Sequence, residues 1–164
     1  MKNKIKLIIA ATLILCMTLS FASCGLFEDK GTYEMGKDSI TSVKGVLGDL
    51  GERKMSGINL STSNGVQTNS YTYTTDPNDE KQAAADMTKY FQYLCDQGKD
   101  GFLSLVSFDL PLPDDGGIDL RFAKNSVDEG KIILLEIKYD KKGYTLTFTK
   151  YEDVLTPAGG DDTE

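Results

Sequence analysis

Residues 58–77, INLSTSNGVQTNSYTYTTDP, decide the fold. Asn64-Gly65 suits a two-residue type I′ turn, which requires positive φ at both central positions. Counting outward from it, Ser63 faces Val66, Leu60 faces Asn69 and Ile58 faces Tyr71. Ile58, Leu60, Tyr71 and Tyr73 then share one face, and Asn59, Ser61, Thr72 and Thr74 share the other. This is the pattern of an antiparallel hairpin buried on one side. Asp76-Pro77 closes the second strand and opens a helix, with Asp at the N-cap and Pro at the first helical position. Asp79 and Glu80 complement the positive helix start. Ala84, Met87, Phe91 and Leu94 form an apolar stripe that Ala83 and Tyr90 widen. Gly98 is a natural stop, so the predicted helix spans 77–97.

Downstream, four stretches read as strands. Residues 101–108 make the first. Pro111, Pro113 and Asp114-Asp115-Gly116-Gly117 then break the chain. Ile118, Leu120 and Phe122 alternate with Asp119, Arg121 and Ala123 in the second. In the third, 131–139, Ile133, Leu135, Ile137 and Tyr139 oppose Ile132, Leu134, Glu136 and Lys138. A Gly-ended loop, 140–143, leads to the fourth, 144–151, with Tyr144, Leu146 and Phe148 on one face and three threonines on the other. Upstream, Ile40, Val43, Val46, Leu47 and Leu50 recur at helical spacing behind Ser39 as a cap. Gly45 and Gly48 weaken that helix, each by ~1 kcal/mol, and a strand is the competing reading. The expected architecture is α+β: a two-layer sandwich with an antiparallel sheet of about six strands under one main helix.

The amino terminus has a different character. Lys2, Lys4 and Lys6 precede an uncharged run, 7–23, that ends in Ala22-Ser23 before Cys24. Basic head, apolar centre and small residues at the end have the order of a secretory signal. An uncleaved membrane anchor and a plain signal with an incidental cysteine are the alternatives. Removing 1–23 would take away three lysines and no acid, turning the chain's net charge of −7 into −10. Residues 24–37 then read as a tether, 38–155 as a single domain, and the acidic, Gly-rich 156–164 as a disordered tail.

Composition narrows the chemistry. An acidic chain lacks the basic patches that neutralise phosphate, so no nucleic-acid partner is expected. The sequence has no His and no Trp. Without His there is no Ser-His-Asp triad, no Cys-His pair and no His-containing zinc site. Three cysteines are present; Cys16 lies in the signal, and Cys95, in a helical pattern beside Leu94, reads as a buried, inert thiol.

Candidate sites are few. Asp114, Asp115 and Asp119 lie close in a Gly-rich loop, but without the EF-hand order they read as turn chemistry, and no metal or cofactor is expected. Glu136 is the one acid in an apolar strand; Lys138 on its face argues that it is simply solvated. Among the eight tyrosines, Tyr71, Tyr73, Tyr90, Tyr139 and Tyr144 read as strand and core residues. Tyr93 falls off the helical stripe and is the candidate partner contact.

The run LIIAATLILCMTLSFASC resembles a bacterial lipobox signal, with Phe21 where Leu is usual three places before the cysteine. GERKMSGINLSTSNGVQTNSYTYTTD with the helix after it resembles small lipoproteins of Firmicutes, especially clostridia. The resemblance implies cleavage before Cys24, a diacylglycerol on its thiol, and residence on the extracytoplasmic face of the cell membrane. Two acyl chains hold a protein stably without a spanning helix. The expected role is a non-catalytic binding or interaction module for a protein, peptide or glycan. The alternatives are a carboxylate enzyme on envelope polymers and an adaptor or inhibitor of a larger membrane complex.

Overall fold

The computed structural model describes residues 27–155. Cys24, the signal and the acidic tail lie outside them. The chain runs β1 (Thr32–Met35), β2 (Asp38–Thr41), α1 (Val43–Leu47), β3 (Lys54–Ser63), β4 (Val66–Thr74) and α2 (Gln82–Cys95). It continues through β5 (Leu103–Ser104), β6 (Leu120–Asn125), β7 (Lys131–Asp140) and β8 (Gly143–Glu152). The fold is α+β. β3-β4-β8-β7-β6-β5 form one sheet and β1-β2 a second, two-stranded one, and every strand pair is antiparallel.

The β3–β4 hairpin has the register that its turn dictates: Ser63 opposite Val66, Leu60 opposite Asn69, Ile58 opposite Tyr71. Asn64 and Gly65 both take positive φ. A bulge between Met55 and Gly57 interrupts the far end. Tyr71 and Tyr73 are buried on the inner face, whereas Leu60 is 62% exposed because the hairpin tip projects past the layer above it. β7 and β8 close on a two-residue loop between Asp140 and Gly143, and their inward residues Ile133, Leu135, Ile137, Leu146 and Phe148 are buried. Each such side chain removed from water contributes roughly 1.5–3 kcal/mol.

Three expectations are corrected. First, α2 starts at Gln82, with Lys81 rather than Asp76 at its N-cap position. Asp76 Oδ1 accepts the Asn78 N–H at 2.8 Å, and Asp79 Oδ1 accepts the Lys81 N–H at 3.1 Å. These local turns compete with helix for the same backbone groups. Second, α1 is capped by Ser42, whose Oγ accepts the Gly45 N–H, while Ser39 and Ile40 belong to β2. Third, in the stretch read as a strand over 101–108 only Leu103–Ser104 are strand, since Ser104 Oγ bonds the Val106 carbonyl at 2.7 Å and turns the chain.

The segment read as a tether, 24–37, is also corrected where it is described. β1 alternates exposed and buried residues, and Tyr33 and Met35 are core. Tyr33 stacks on Tyr71 with ring centroids 4.1 Å apart. The layer over the sheet therefore has two halves. α2 covers β6 and β7 through residues such as Met87, Tyr90 and Phe91, the last stacked on Phe122. The β1–β2 hairpin covers β4 and β8.

Candidate functional site

Where the two halves of this upper layer meet, they leave a cleft. Ser39, Ile40 and Thr41 of β2 form one wall, the end of α2 with Tyr93, Leu94 and Gln97 another, and Asp100, Phe102 and Lys124 the third. Its volume is about 260 Å³. Ile40, Leu94 and Phe102 are buried at its base, so the floor is apolar and the rim polar. The Tyr93 hydroxyl lies 3.2 Å from Thr41 Oγ1, and Tyr90 donates to the Thr41 carbonyl at 3.0 Å. These bonds pin β2 against the helix end. Gln97 Nε2 donates to the Tyr93 carbonyl at 3.0 Å, which holds the amide on the rim. Lys124 Nζ stands 5.7 Å from the Phe102 ring centroid, within reach of a cation–π attraction.

Tyr93 thus lines the cleft, half-buried rather than freely exposed. A carboxylate and an ammonium border the same space, Asp100 and Lys124. Sequence reading missed Lys124 and Asp100 because nothing along the chain links β6 to the end of α2.

The other candidates are placed apart. Asp114 pairs with Lys81 at 3.7 Å, and Asp119 with Arg121 at 2.7 Å. Among the described residues no group of acids and Cys is gathered to hold a metal. Glu136 lies on the open face of the sheet, 3.5 Å from Arg121. Cys95 is half-buried and burial pushes its thiol up, away from nucleophilic character. A broader and more open groove of about 320 Å³ lies at the β7–β8 turn, beside Thr72, Thr74, Lys138 and Thr145. There the Thr72 and Thr145 hydroxyls bond each other at 3.1 Å.

Buried polar centres also escaped the sequence reading. Asp29 accepts from Tyr73 Oη at 2.6 Å, the Gly31 N–H at 2.8 Å, the Lys44 N–H at 2.9 Å and Ser42 Oγ. With the Tyr73 proton given to Asp29, Tyr33 donates to Tyr73 at 2.6 Å and accepts from the Val43 N–H at 3.3 Å. Burial pushes both phenols well above the usual tyrosine range.

Another such centre is Lys150. It bonds Asp38 at 2.7 Å, Asp128 at 2.5 Å and the Met35 carbonyl at 3.1 Å. Burial alone would lower its ammonium, but the bonds to Asp128 and Asp38 outweigh that and raise it. Asp38 is likewise pushed up by burial and pulled further down by Lys150, Ser126 and the Val127 N–H, so its carboxyl lies below the usual range. A signal for Lys150 did exist: it continues the inward register of Tyr144, Leu146 and Phe148.

Comparison of the chain with protein families, curated proteins and solved structures finds no match.

Proposed function

We propose that this protein is a non-catalytic binding module held by a lipid on Cys24 at the extracytoplasmic face of the cell membrane. The single observation that carries the binding reading is the Tyr93 cleft, with its apolar floor and its rim of hydroxyl, amide, carboxylate and ammonium groups. Such a mixture fits recognition of a polar group with an apolar face. At about 260 Å³ the cleft is smaller than the ~300–1,000 Å³ of a typical small-molecule pocket. It suits one residue of a larger peptide, glycan or protein better than a free cofactor.

The buried ionisable groups support a non-catalytic role, since they are committed to one another. Asp29 ties β1, α1 and β4, and Lys150 ties β8 to the β1–β2 hairpin and the β6–β7 loop. Arg53 holds Asp86 of α2 through two bonds, at 2.5 and 2.8 Å. A carboxylate hydrolase of envelope polymers would need an acid in an apolar pocket; Glu136 has Arg121 beside it instead.

The anchor reading rests on the residues before Cys24. Asp29 gives it a geometric consequence. Five residues, 24–28, span at most ~18 Å fully extended, so acylation of Cys24 would hold the domain against the bilayer surface.

Affinity purification of the full-length protein from membranes tests the binding reading. Partners that depend on the cleft should be recovered with the wild type and lost with Tyr93→Ala and with Lys124→Glu. Equal recovery from all three would refute it.

A further inference from the structure

Among the described residues, β3 is one edge of the six-stranded sheet. Natural edges of this length are usually blunted by charge, Pro or a bulge. Here the bulge at Met55–Gly57 protects one end only. From Met55 to Thr75 there is no charged residue, in a chain that is 26% charged.

The hairpin turn settles which backbone groups are used. A two-residue loop makes Ser63 and Val66 a hydrogen-bonded pair, and such pairs alternate along an antiparallel ladder. Ser61 and Asn59 therefore bond β4, while the N–H and C=O groups of Ile58, Leu60 and Thr62 point away from the sheet. Leu60, 62% exposed, stands in that row.

The edge also reads nearly the same in both directions. About Asn59 as centre, Ile58 mirrors Leu60, Gly57 mirrors Ser61 and Ser56 mirrors Thr62. A two-fold interface requires a surface complementary to itself.

We propose that β3 pairs antiparallel with β3 of a second copy of this chain, with the dyad at Asn59. In that register Ile58 of each copy faces Leu60 of the other as a hydrogen-bonded pair. Their side chains lie on the inner face, where Ile58 opposes Tyr71 and Leu60 opposes Asn69, so pairing covers the exposed Leu60. An uncharged edge lets two acidic molecules meet without like charges opposed, and two six-stranded sheets become one of twelve. The interface is narrow, and narrow interfaces associate weakly, so covalent trapping is the suitable readout.

At the dyad the two Asn59 residues form a non-hydrogen-bonded pair with Cα atoms ~4.5 Å apart, within disulfide reach. The test uses the full-length chain in native membranes with Cys95→Ser, adding either Asn59→Cys or, one strand inward, Thr68→Cys. Mild oxidation should give a band of twice the monomer mass with Asn59→Cys and none above the parent with Thr68→Cys. Adding Leu60→Lys should cut the dimer yield at least tenfold while leaving the thermal melting curve in place. Equal yields from positions 59 and 68, a yield indifferent to Leu60→Lys, or capture chiefly of a different protein would each overturn the proposal.

Discussion

Lys150 Nζ lies 2.7 Å from Asp38 Oδ2, and the two side chains are only 5% and 2% exposed. The pair joins β8, in the middle of the sheet, to the hairpin that covers it. Removing one partner leaves the other charge buried. Lys150→Met should therefore cost about 3–5 kcal/mol, read as a lower urea midpoint at pH 7. An unchanged midpoint would show that the pair contributes nothing.

The pH dependence follows from the same contact. The Asp38 carboxyl is depressed in the folded state. Its contribution is present above the unfolded value of ~3.9 and is lost as pH falls through the lower folded value. The Lys150 ammonium is raised. Its contribution is complete below ~10.4 and is lost as pH rises through the higher folded value. In Lys150→Met, Ser126 and the Val127 N–H still oppose burial, but the strongest group holding the Asp38 carboxyl down is gone, so it titrates higher than in the wild type. Acidification from pH 7 to pH 4 should narrow the stability gap between variant and wild type. A gap that widens over that range would contradict the assignment.

Asp29 organises the other end of the hairpin by accepting four hydrogen bonds. Asp29→Ala strands the Tyr73 hydroxyl and two backbone N–H groups. We expect a loss of about 3 kcal/mol and faster proteolysis near β1, measured by urea unfolding and limited digestion. Tyr73→Phe, which removes one donor, should cost less. Equal stability of Asp29→Ala and wild type would mean that these groups find water instead.

Tyr144 gives the opposite sign. Its ring stacks on Tyr73 with centroids 5.1 Å apart, while its hydroxyl is buried without a partner among the described residues. Tyr144→Phe keeps the ring and removes the unmatched polar atom. It should be neutral or stabilising by about 1 kcal/mol, measured as a shift in thermal midpoint. A loss above that size would reveal a hydrogen bond to the phenol.

Much of this fold is legible along the chain. Asn64-Gly65 alone fixes the β3–β4 register, because a two-residue turn leaves no freedom in pairing. The alternation of 131–139 and 144–151 likewise settles which side of β7 and β8 is buried. Short elements are less legible. Thr32–Met35 alternates for only four residues between glycines, too few for the period to stand out. Asp29 was hidden for another reason: a charged residue in a polar stretch reads as solvated, and only distant donors from α1 and β4 make its burial tolerable. At the candidate site, Tyr93 was visible as the tyrosine off the apolar stripe. Lys124 and Asp100 were not, since their proximity to it is a product of topology.

The anchor reading yields a simple prediction. Cys24→Ala should move the protein from the membrane fraction to the soluble extracytoplasmic fraction or leave it unprocessed. The mature wild type should begin at Cys24 and carry the mass of its acyl chains. A free, unmodified thiol at Cys24 in the mature protein would end that reading.

The binding claim is tested most directly by a photo-crosslinking amino acid at Gln97, on the rim of the cleft, in the full-length protein in native membranes. The account predicts a discrete adduct from position 97 that Lys124→Glu abolishes, and none from the same probe at Lys138 beside the open groove. Adducts equally abundant from both positions, or indifferent to Lys124→Glu, would contradict it.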